Sequence, residues 1–333
     1  MEKTHTKEVC FEDLGISPEI LGVIQKLHYT VPTLIQQKAI LPCIEGKDLV
    51  GIAQTGTGKT LAFAVPMLQR LMEMKGKIGL VVVPTRELAA QVEETFVKVG
   101  GPLGVRTALL IGGAAMGPQL GAIRRGPHVI IGTPGRINDH LAQRTFTGDT
   151  VAILVLDEAD HMFDMGFLPQ IKDIIAAVPV KRQTLLFSAT MPQEIFTLAS
   201  RHMQTPLRIE IARSGTVADR MDQEIFVITK DQKNRLLEHL LMEYKGSVLI
   251  FCRTKHGAKK LTANIRVMGH SVSEIHSNRS LGQRREALDS FKSGAKRVLV
   301  ATDIAARGID VSGIELVGNY DLPEQAEDYV HRI

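Results

Sequence analysis

The stretch Ala53-Gln-Thr-Gly-Thr-Gly-Lys-Thr60 decides the fold of this chain of 333 residues. A short apolar run, 48–52, comes before it, and a helical pattern, 61–70, follows it. A glycine-rich loop between a strand and a helix, closed by Lys-Thr, is typical of a phosphate-binding loop. Its glycines let backbone N–H groups turn toward phosphate oxygens, and the N-terminus of the helix attracts the same anion. The stretch therefore predicts a nucleotide site.

Two residues of this loop have predicted roles of their own. Lys59 brings a full charge to the phosphates, worth roughly 4 kcal/mol at ~4 Å and an effective dielectric of ~20. Thr60 offers a hydroxyl ligand to Mg²⁺. Ala53 stands where such loops usually carry a glycine, so the alternative is a turn that contains Lys-Thr by chance. The residues predicted to hold the nucleotide here are Thr55, Gly56, Thr57, Gly58, Lys59 and Thr60.

The composition indicates a globular protein of about two domains. Hydrophobic residues make up 44% and charged residues 23%, and a net charge of +4 permits binding to a polyanion without proving it. The three cysteines are far apart, so neither a disulfide framework nor a zinc site is predicted. The N-terminus lacks a signal sequence, and no apolar run has the length of a membrane span. We therefore expect a cytoplasmic protein that does not contact a membrane.

Apolar runs alternate with helical patterns along the chain. The runs are continuous, which favours strands buried on both faces and predicts an α/β fold with doubly wound parallel sheets. The predicted strands are 48–52, 78–83, 105–111, 129–131, 151–156, 184–187, 207–211, 225–228, 248–252, 272–275, 298–301 and 316–319. Ahead of them, 11–44 indicates short helices broken by Pro18, Pro32 and Pro42.

The pattern lapses near residue 212, which predicts a linker between two domains. We expect an N-terminal domain at 1–211, a linker at 212–222 and a C-terminal domain at 223–333. The second domain repeats the strand–helix pattern but carries no second phosphate loop. It is therefore expected to complete a site built on the first domain.

An acidic motif, Asp157-Glu-Ala-Asp160, follows the predicted strand 151–156. A carboxylate at that end of a strand lies at the mouth of a parallel sheet, beside the phosphate loop. Asp157 is predicted to hold Mg²⁺ through water, and Glu158 to orient and deprotonate an attacking water. The alternative is an acidic helix N-terminus stabilised by the helix dipole. The presence of the phosphate loop favours the catalytic interpretation.

Taken together, the motifs resemble those of DEAD-box ATP-dependent RNA helicases of superfamily two, most of all the bacterial RNA-helicase-E-type group. The resemblance spans 11–333 and implies two RecA-like lobes, an ATP-binding motif at 9–37, and a second lobe cut off within its last motif. The motifs are Phe11 with Pro32-Thr-Leu-Ile-Gln36, 53–60, Pro84-Thr-Arg-Glu-Leu88, Gly112-Gly113, Thr133-Pro-Gly-Arg136, 157–160, Ser188-Ala-Thr190, 248–254, Gln283-Arg284, 301–310, 319–323 and His331-Arg-Ile333.

The resemblance implies further residues of the ATP site on the first lobe. The amide of Gln36 can donate to and accept from adenine, and Phe11 can stack on the purine. The alternative for Phe11 is a hydrophobic staple at a helix start. Ser188 and Thr190 are expected beside Asp160, where hydroxyl groups could sense the γ-phosphate. The alternative for them is an ordinary helix cap.

The second lobe is expected to contribute three residues to the same site. Arg307 and Asp310 face the nucleotide in the family, with Asp310 reaching the ribose, and His331 bridges toward the acidic motif. The family continues past position 333 with arginines that include the finger stabilising the transition state. Loss of such a finger costs ~10³–10⁵ in rate, so this chain is expected to turn over slowly.

A track for RNA is also implied, made of small residues that admit phosphates and arginines that attract them. Its members are Thr85, Arg86, Gly113, Thr133, Pro134 and Arg136 on the first lobe, and Thr254 and Thr302 on the second. Taken singly, each is better explained by a turn glycine or a solvated arginine than by RNA binding. Aromatic residues are only 5% and Trp is absent, which indicates backbone contact with little preference for base sequence.

The resemblance thus implies an RNA-dependent ATPase that unwinds short duplexes, with ATP and Mg²⁺ as cofactors and RNA as partner. ATP binding and hydrolysis are expected to close and open the two lobes. The main alternative is an ATP-dependent RNA clamp with little turnover. A double-stranded DNA translocase and a small-molecule kinase are the remaining ones.

Overall fold

The computed structural model describes residues 9–54, 56–211, 222–302, 311, 313–323, 329 and 332. The chain divides into two compact units, Met1–Gly215 and Thr216–Ile333. The predicted limits of the two domains and the linker remain predictions. Four predicted site residues lie outside the described residues, namely Thr55, Arg307, Asp310 and His331.

The first unit is built on a parallel sheet of seven strands. In chain order they are β1 (Leu49–Ile52), β2 (Ile78–Val82), β3 (Thr107–Leu110), β4 (Val129–Gly132), β5 (Val151–Leu156), β6 (Gln183–Ser188) and β7 (Leu207–Glu210). The spatial order is β3-β4-β2-β5-β6-β1-β7. All residues of β1, β4 and β6 are buried, as expected for strands covered on both faces. The predicted α/β architecture is confirmed.

Helices connect these strands and pack on the sheet. They are α1 (Pro18–Lys26), α2 (Leu34–Ile44), α3 (Lys59–Glu73), α4 (Arg86–Gly100), α5 (Met116–Arg124), α6 (Pro134–Ala142), α7 (Ala159–Asp164), α8 (Leu168–Ala177) and α9 (Gln193–His202). The core includes three aromatic rings: the Phe63 ring centroid lies 6.2 Å from that of Phe96 and 5.5 Å from that of Phe187. These contacts join α3 to α4 and to β6.

The prediction that Pro42 breaks a helix is wrong. Pro42 lies inside α2, two residues before its end at Ile44. A proline in a helix removes the hydrogen bond that its N–H would make to the residue four positions earlier. So near the C-terminus that single loss does not prevent the last turn from forming. Pro18, by contrast, is the first residue of α1, a position that proline favours.

The second unit contains a parallel sheet of four strands within its described residues. They are β8 (Ser247–Cys252), β9 (Val272–Ile275), β10 (Val298–Thr302) and β11 (Ile314–Asn319), in the order β11-β8-β10-β9. The helices are α10 (Lys233–Glu243), α11 (Lys255–Val267) and α12 (Leu281–Lys292). The second unit therefore repeats the strand–helix arrangement that the sequence predicts.

The predicted strand at 225–228 is wrong. Residues 222–229 form no strand, and the side chains of Ile225 and Val227 are 87% and 97% exposed. A β-prone sequence becomes a strand only where a neighbour pairs its N–H and C=O groups. Among the described residues, the four-stranded sheet has β11 and β9 at its edges. Their recorded partners are β8 and β10, and neither edge strand pairs with the segment 225–228.

The order of the strands in the first sheet sorts the sequence motifs into two adjacent groups. The loops after β5, β6 and β1, which are neighbours, carry the acidic motif, Ser188-Ala-Thr190 and the phosphate loop. The loops after β3, β4 and β2 carry Gly113, Thr133 and Thr85. Because all strands are parallel, both groups lie on the same edge of the sheet, side by side.

Candidate active site

The phosphate loop has the backbone that an anion cradle needs. Gly56 has φ +80° and Gly58 has φ +88°, a region that residues with a side chain rarely adopt. Gly58 is the N-cap of α3, and Lys59 is the first residue of that helix. Backbone N–H groups at the start of a helix of 15 residues are therefore available to an anion.

Lys59 is the residue of this loop whose side chain best indicates an anion site. The residue is only 6% exposed, and its Nζ atom makes no hydrogen bond to any described residue. A buried ammonium group that makes no hydrogen bond is costly, even with the Asp157 and Glu158 carboxylates close enough to interact with its charge. The oxygens of a triphosphate would accept the hydrogen bonds that Nζ does not make to the described residues. The residues present thus fit ATP.

Gln36 is held against the phosphate loop by its side-chain amide. Its Nε2 atom donates to the Gly58 carbonyl oxygen at 3.0 Å, and its Oε1 atom accepts from the Thr33 amide at 2.9 Å. A side chain at position 58 would collide with Nε2 of Gln36, which adds a second reason for glycine there. One amide hydrogen and one lone pair remain for the predicted contact with adenine.

Phe11 lies in a short 3-10 helix, Phe11–Leu14, and is 2% exposed. Little of its ring is open to a base in this structure. The hydrophobic alternative accounts for its burial, and stacking on the purine stays a prediction.

Asp157 and Glu158 lie at the end of β5 and are both buried, at 2% and 7% exposure. Burial raises the pKa of Asp157 to about 6, against the lowering effect of Lys59. Burial also acts to raise the pKa of Glu158, but a hydrogen bond from His161 and the charges of Lys59 and His161 outweigh it. The net pKa of Glu158 is lower than usual. Glu158 is therefore ionised at neutral pH, as a base that deprotonates water must be.

Asp160 joins the acidic motif to the loop after β6. Its Oδ2 atom accepts hydrogen bonds from the Ala189 amide at 3.0 Å and from the Thr190 amide and hydroxyl at 2.8 and 3.0 Å. Its own amide donates to the Ser188 Oγ atom at 3.1 Å. The predicted closeness of Ser188 and Thr190 to Asp160 is confirmed. Of the two hydroxyls, Thr190 donates to the carboxylate, whereas Ser188 accepts from the backbone.

His161 belongs to this site although no sequence motif indicates it. Its Nδ1 atom lies 3.4 Å from Oε2 of Glu158, and the side chains are 2% and 9% exposed. The available signal was the spacing, because residues three apart on a helix are neighbours.

Three residues predicted to contact RNA lie together on the other half of the sheet edge. Arg86 packs over Gly113, where any side chain would collide with its guanidinium group. Arg136 donates from Nη1 to the Ala114 carbonyl at 3.0 Å and pairs with Asp139 at 3.3 Å. Gly113 has φ +75° and is exposed, so its backbone is accessible to a ligand.

The threonines predicted for the same track are helix caps. The Thr85 hydroxyl oxygen accepts from the Leu88 amide at 3.2 Å at the start of α4. Thr133 is the N-cap of α6, and Pro134 is its first residue. The N-terminus of each of these two helices carries a partial positive charge that favours a phosphate group nearby. Their contact with RNA remains a prediction.

In the second unit, Thr254 and Thr302 lie at the carboxyl ends of neighbouring strands. Thr302 ends β10 and pairs with Cys252 of β8, two residues before Thr254. Thr254 is exposed and caps α11, where its hydroxyl oxygen accepts from the Gly257 amide at 3.0 Å. This placement repeats that of Thr85 in the first unit.

Two further features concern metals and membranes. No group of three or more His, Cys, Asp or Glu side chains that could hold a metal ion is found in the described ranges. A Mg²⁺ ion held mainly by phosphate oxygens and water does not need such a group. None of the helices described here has the length and apolar character needed to cross a bilayer.

Comparison with known proteins identifies the family. The DEAD/DEAH box helicase profile matches residues 33–198, and that of the helicase conserved C-terminal domain matches 232–333. The chain is 41% identical to the ATP-dependent rRNA helicase RRP3 of Meyerozyma guilliermondii, covering 97% of this chain and 69% of that protein. It is 42% identical to RRP3 of Scheffersomyces stipitis, covering 97% and 67%.

Solved structures agree with this assignment. S. cerevisiae Dbp5 bound to RNA and ADP BeF3 has a TM-score of 0.84 at 28% identity, covering 97% of this chain and 85% of that one. A DEAD box protein from Methanococcus jannaschii has a TM-score of 0.59 at 35% identity, covering 97% and 88%. The bacterial RNA-helicase-E-type subgroup stays a prediction. With its two RecA-like units and its ordered motifs, the chain belongs to the DEAD/DEAH box helicase family.

Proposed function

We propose that this protein is an ATP-dependent RNA helicase that couples ATP hydrolysis to local separation of RNA duplexes. The observation that carries this proposal is the buried ammonium of Lys59 in the phosphate loop, whose Nζ atom makes no hydrogen bond to the described residues. The acidic motif follows β5 on the same sheet edge, and an ionised Glu158 stands beside this charge. The relatives named above are ATP-dependent RNA helicases, which favours turnover over the clamp alternative.

The residues of the chain divide the work of hydrolysis. The loop N–H groups and Lys59 bind and neutralise the phosphates, which keeps the γ-phosphate in place for attack. Glu158 accepts a proton from the attacking water at its carboxylate. Asp160 binds the Thr190 hydroxyl and amide, which ties the loop after β6 to the acidic motif. Loss or gain of phosphate contacts beside this loop can therefore be transmitted to it.

Mg²⁺ is the metal that we propose for this site. Thr60 and Asp157 would hold it, since a hydroxyl and a carboxylate are the oxygen donors that Mg²⁺ prefers. When bound with ATP, the ion supplies positive charge to the phosphate oxygens. The raised pKa of Asp157 supports this assignment, because a buried carboxylate gains from a nearby cation.

The RNA site would occupy the half of the sheet edge formed by the loops after β2, β3 and β4. Arg86 and Arg136 supply charge there, and Gly113 allows a phosphate to approach the backbone. Contacts of this kind recognise the backbone and not the bases. We therefore infer little dependence on RNA sequence. Dbp5, a structural neighbour, binds RNA with the same overall fold.

The movement of the two units and the cellular location of the protein are also proposed. We infer that ATP and RNA together draw the two units toward each other and that phosphate release lets them separate. We also infer a cytoplasmic location from the composition. Small-angle scattering with a non-hydrolysable ATP analogue and oligoribonucleotide tests the first inference, and microscopy of the tagged protein tests the second.

The deciding experiment measures phosphate release with and without single-stranded RNA. We expect RNA to stimulate turnover in the wild type, and the double substitution Arg86→Ala with Arg136→Ala to abolish the stimulation while basal turnover is kept. A DNA strand of the same sequence should stimulate less. Turnover that is indifferent to RNA, or stimulated equally by DNA, would overturn the proposed substrate.

A further inference from the structure

The side chain of His161 is buried beside the carboxylate of Glu158, the proposed catalytic base. It is the third residue of α7, and its Nδ1 atom lies 3.4 Å from Oε2 of Glu158. Both side chains are almost fully shielded from water, at 2% and 9% exposure. A polar contact in such a place is stronger than the same contact at the surface. No role in the reaction has so far been assigned to this histidine.

The chemistry of the two groups fixes which atom donates. An ionised carboxylate only accepts hydrogen bonds, so the proton between the two groups must belong to Nδ1 of His161. The separation of 3.4 Å is longer than the roughly 2.7–3.2 Å usual for an N–H···O hydrogen bond.

The other ring nitrogen shows that His161 is poorly explained by packing alone. Its Nε2 atom is buried and makes no hydrogen bond to the residues that the structure describes. An apolar residue of similar volume would avoid that loss. His140 offers a contrast in the same unit, because its Nδ1 lies 2.8 Å from Thr145 Oγ1 and its Nε2 lies 3.3 Å from Gln119 Oε1. Both nitrogens of that structural histidine are satisfied.

Glu158 must hold its carboxylate in one orientation in order to act as a base. Its backbone is left-handed, with φ +51°, at the turn between β5 and α7. A glutamate side chain has many rotamers, and each contact that restricts them favours one orientation. To deprotonate water it must keep one oxygen within about 2.6–3.2 Å of that water. A donor three residues later, on the first turn of the helix, restricts the carboxylate from the side.

We propose that His161 is a positioning residue, which donates a hydrogen bond from Nδ1 to Glu158 and so holds the carboxylate in place for the attacking water. The proposal rests on the catalytic role of Glu158 stated above. His161 does not touch the nucleotide in this account. It acts on the rate of hydrolysis and not on the affinity for ATP.

Two substitutions at this position separate the hydrogen bond from the volume. His161→Asn keeps an N–H donor close to the place of Nδ1, whereas His161→Leu keeps the apolar volume and removes the donor. We expect His161→Leu to lower kcat about 10- to 100-fold, as a misplaced catalytic group does. The KM for ATP and the affinity for a non-hydrolysable ATP analogue should be unchanged. His161→Asn should retain most of the wild-type kcat.

Thermal unfolding and a matched control exclude a general loss of structure. His161→Leu should remain folded, with a Tm no lower than that of His140→Leu, because it removes a buried nitrogen that makes no hydrogen bond to the described residues as well as the donor to Glu158. His140→Leu should lower the Tm, since it leaves Gln119 and Thr145 unsatisfied, and should leave kcat as it is. Unchanged kcat in His161→Leu would overturn the proposal, and so would an equal loss in a folded His161→Asn variant.

A double substitution links the effect to Glu158. Measured on the residual single-turnover rate of Glu158→Gln, the added His161→Leu substitution should change little further if His161 acts through that carboxylate. Additive losses would show that the two residues act independently and would sink the proposal. Should Glu158→Gln alone retain full turnover, the proposed function of the site fails first, and the two failures are thereby distinguished.

Discussion

Asp160 and Thr190 are joined by two hydrogen bonds to one carboxylate oxygen, one from the Thr190 amide at 2.8 Å and one from its hydroxyl at 3.0 Å. Replacing Thr190 with Val removes the hydroxyl bond and keeps the amide bond. Since the acceptor is charged and buried, we expect the free energy of unfolding to fall by about 1.5–3 kcal/mol. Urea unfolding measures the change.

A matched control exists on the same unit. The Thr197 hydroxyl donates to the Gln193 carbonyl at 2.8 Å on the exposed face of α9. Thr197→Val should therefore cost clearly less than Thr190→Val. Equal costs for the two variants would mean that the carboxylate of Asp160 contributes nothing special.

Lys59→Ala should weaken ATP binding without harming the fold. The loss of one charge beside the phosphates is worth up to roughly 4 kcal/mol, or a ~10³-fold rise in Kd. The ligand-free protein should remain folded, because Nζ makes no hydrogen bond to the described residues and only its charge interaction with Asp157 and Glu158 is lost. A fluorescent ATP analogue measures the affinity, and Lys98→Ala, an exposed site on α4, is the control. An unaltered Kd would contradict the assigned phosphate contact.

Glu158→Gln should leave nucleotide binding intact and stop turnover. The amide has the size of the carboxylate but cannot accept a proton from water. Single-turnover phosphate release and analogue binding, measured on the same preparation, separate the two effects. Retained turnover would remove the role of general base from this residue.

Asp157→Asn should stabilise the protein when metal and nucleotide are absent. Burial raises the pKa of Asp157 to about 6 from its ordinary value of 3.8. The native protein thus holds this proton more tightly than the unfolded chain does. Above pH 6 the ionised carboxylate reduces the free energy of unfolding by its full amount. This reduction disappears as the pH falls toward 4.

The expected gain at pH 8 is up to about 3 kcal/mol, since each unit of pKa corresponds to about 1.4 kcal/mol. Urea unfolding in EDTA at pH 8 and pH 5 measures it, and the gap between variant and wild type should narrow at the lower pH. If the difference in free energy of unfolding between variant and wild type grew at lower pH, burial of the ionised Asp157 carboxylate could not be its cause. The same substitution should impair Mg²⁺-dependent ATP hydrolysis.

The cysteines should differ sharply in their reactivity. Cys10 is exposed, whereas Cys43 and Cys252 are buried. Burial raises the pKa of the Cys43 thiol to about 12, and only the thiolate is reactive. Iodoacetamide at pH 7.5 should modify Cys10 in the native protein and all three thiols after denaturation, as read by mass spectrometry. Rapid native labelling of Cys43 would show that α2 opens.

The sequence predicts the order of motifs and their strand ends well, because loop chemistry is local. A glycine with positive φ, a capping threonine and a carboxylate after an apolar run each leave a mark within a few residues. The closeness of Asp160 to Thr190 follows from the parallel arrangement, which places strand ends on one edge.

Other features depend on partners that are distant in sequence or on small balances of energy. The apolar run 225–228 has strand propensity, but strand formation depends on a neighbour. Pro42 does not break α2, because it lies close to the end of that helix and the loss of one hydrogen bond there is tolerated. His161 looks like an ordinary helical residue until its distance to Glu158 is measured.

The hydrogen bond from Gln36 to the Gly58 carbonyl makes the predicted reader of the base part of the loop that grips the phosphates. A guanine in place of adenine would displace that amide, and the displacement would be passed to the turn before Lys59. The preference for ATP should then appear in kcat as well as in the affinity for the nucleotide. GTP, even at saturating concentration, would be hydrolysed slowly.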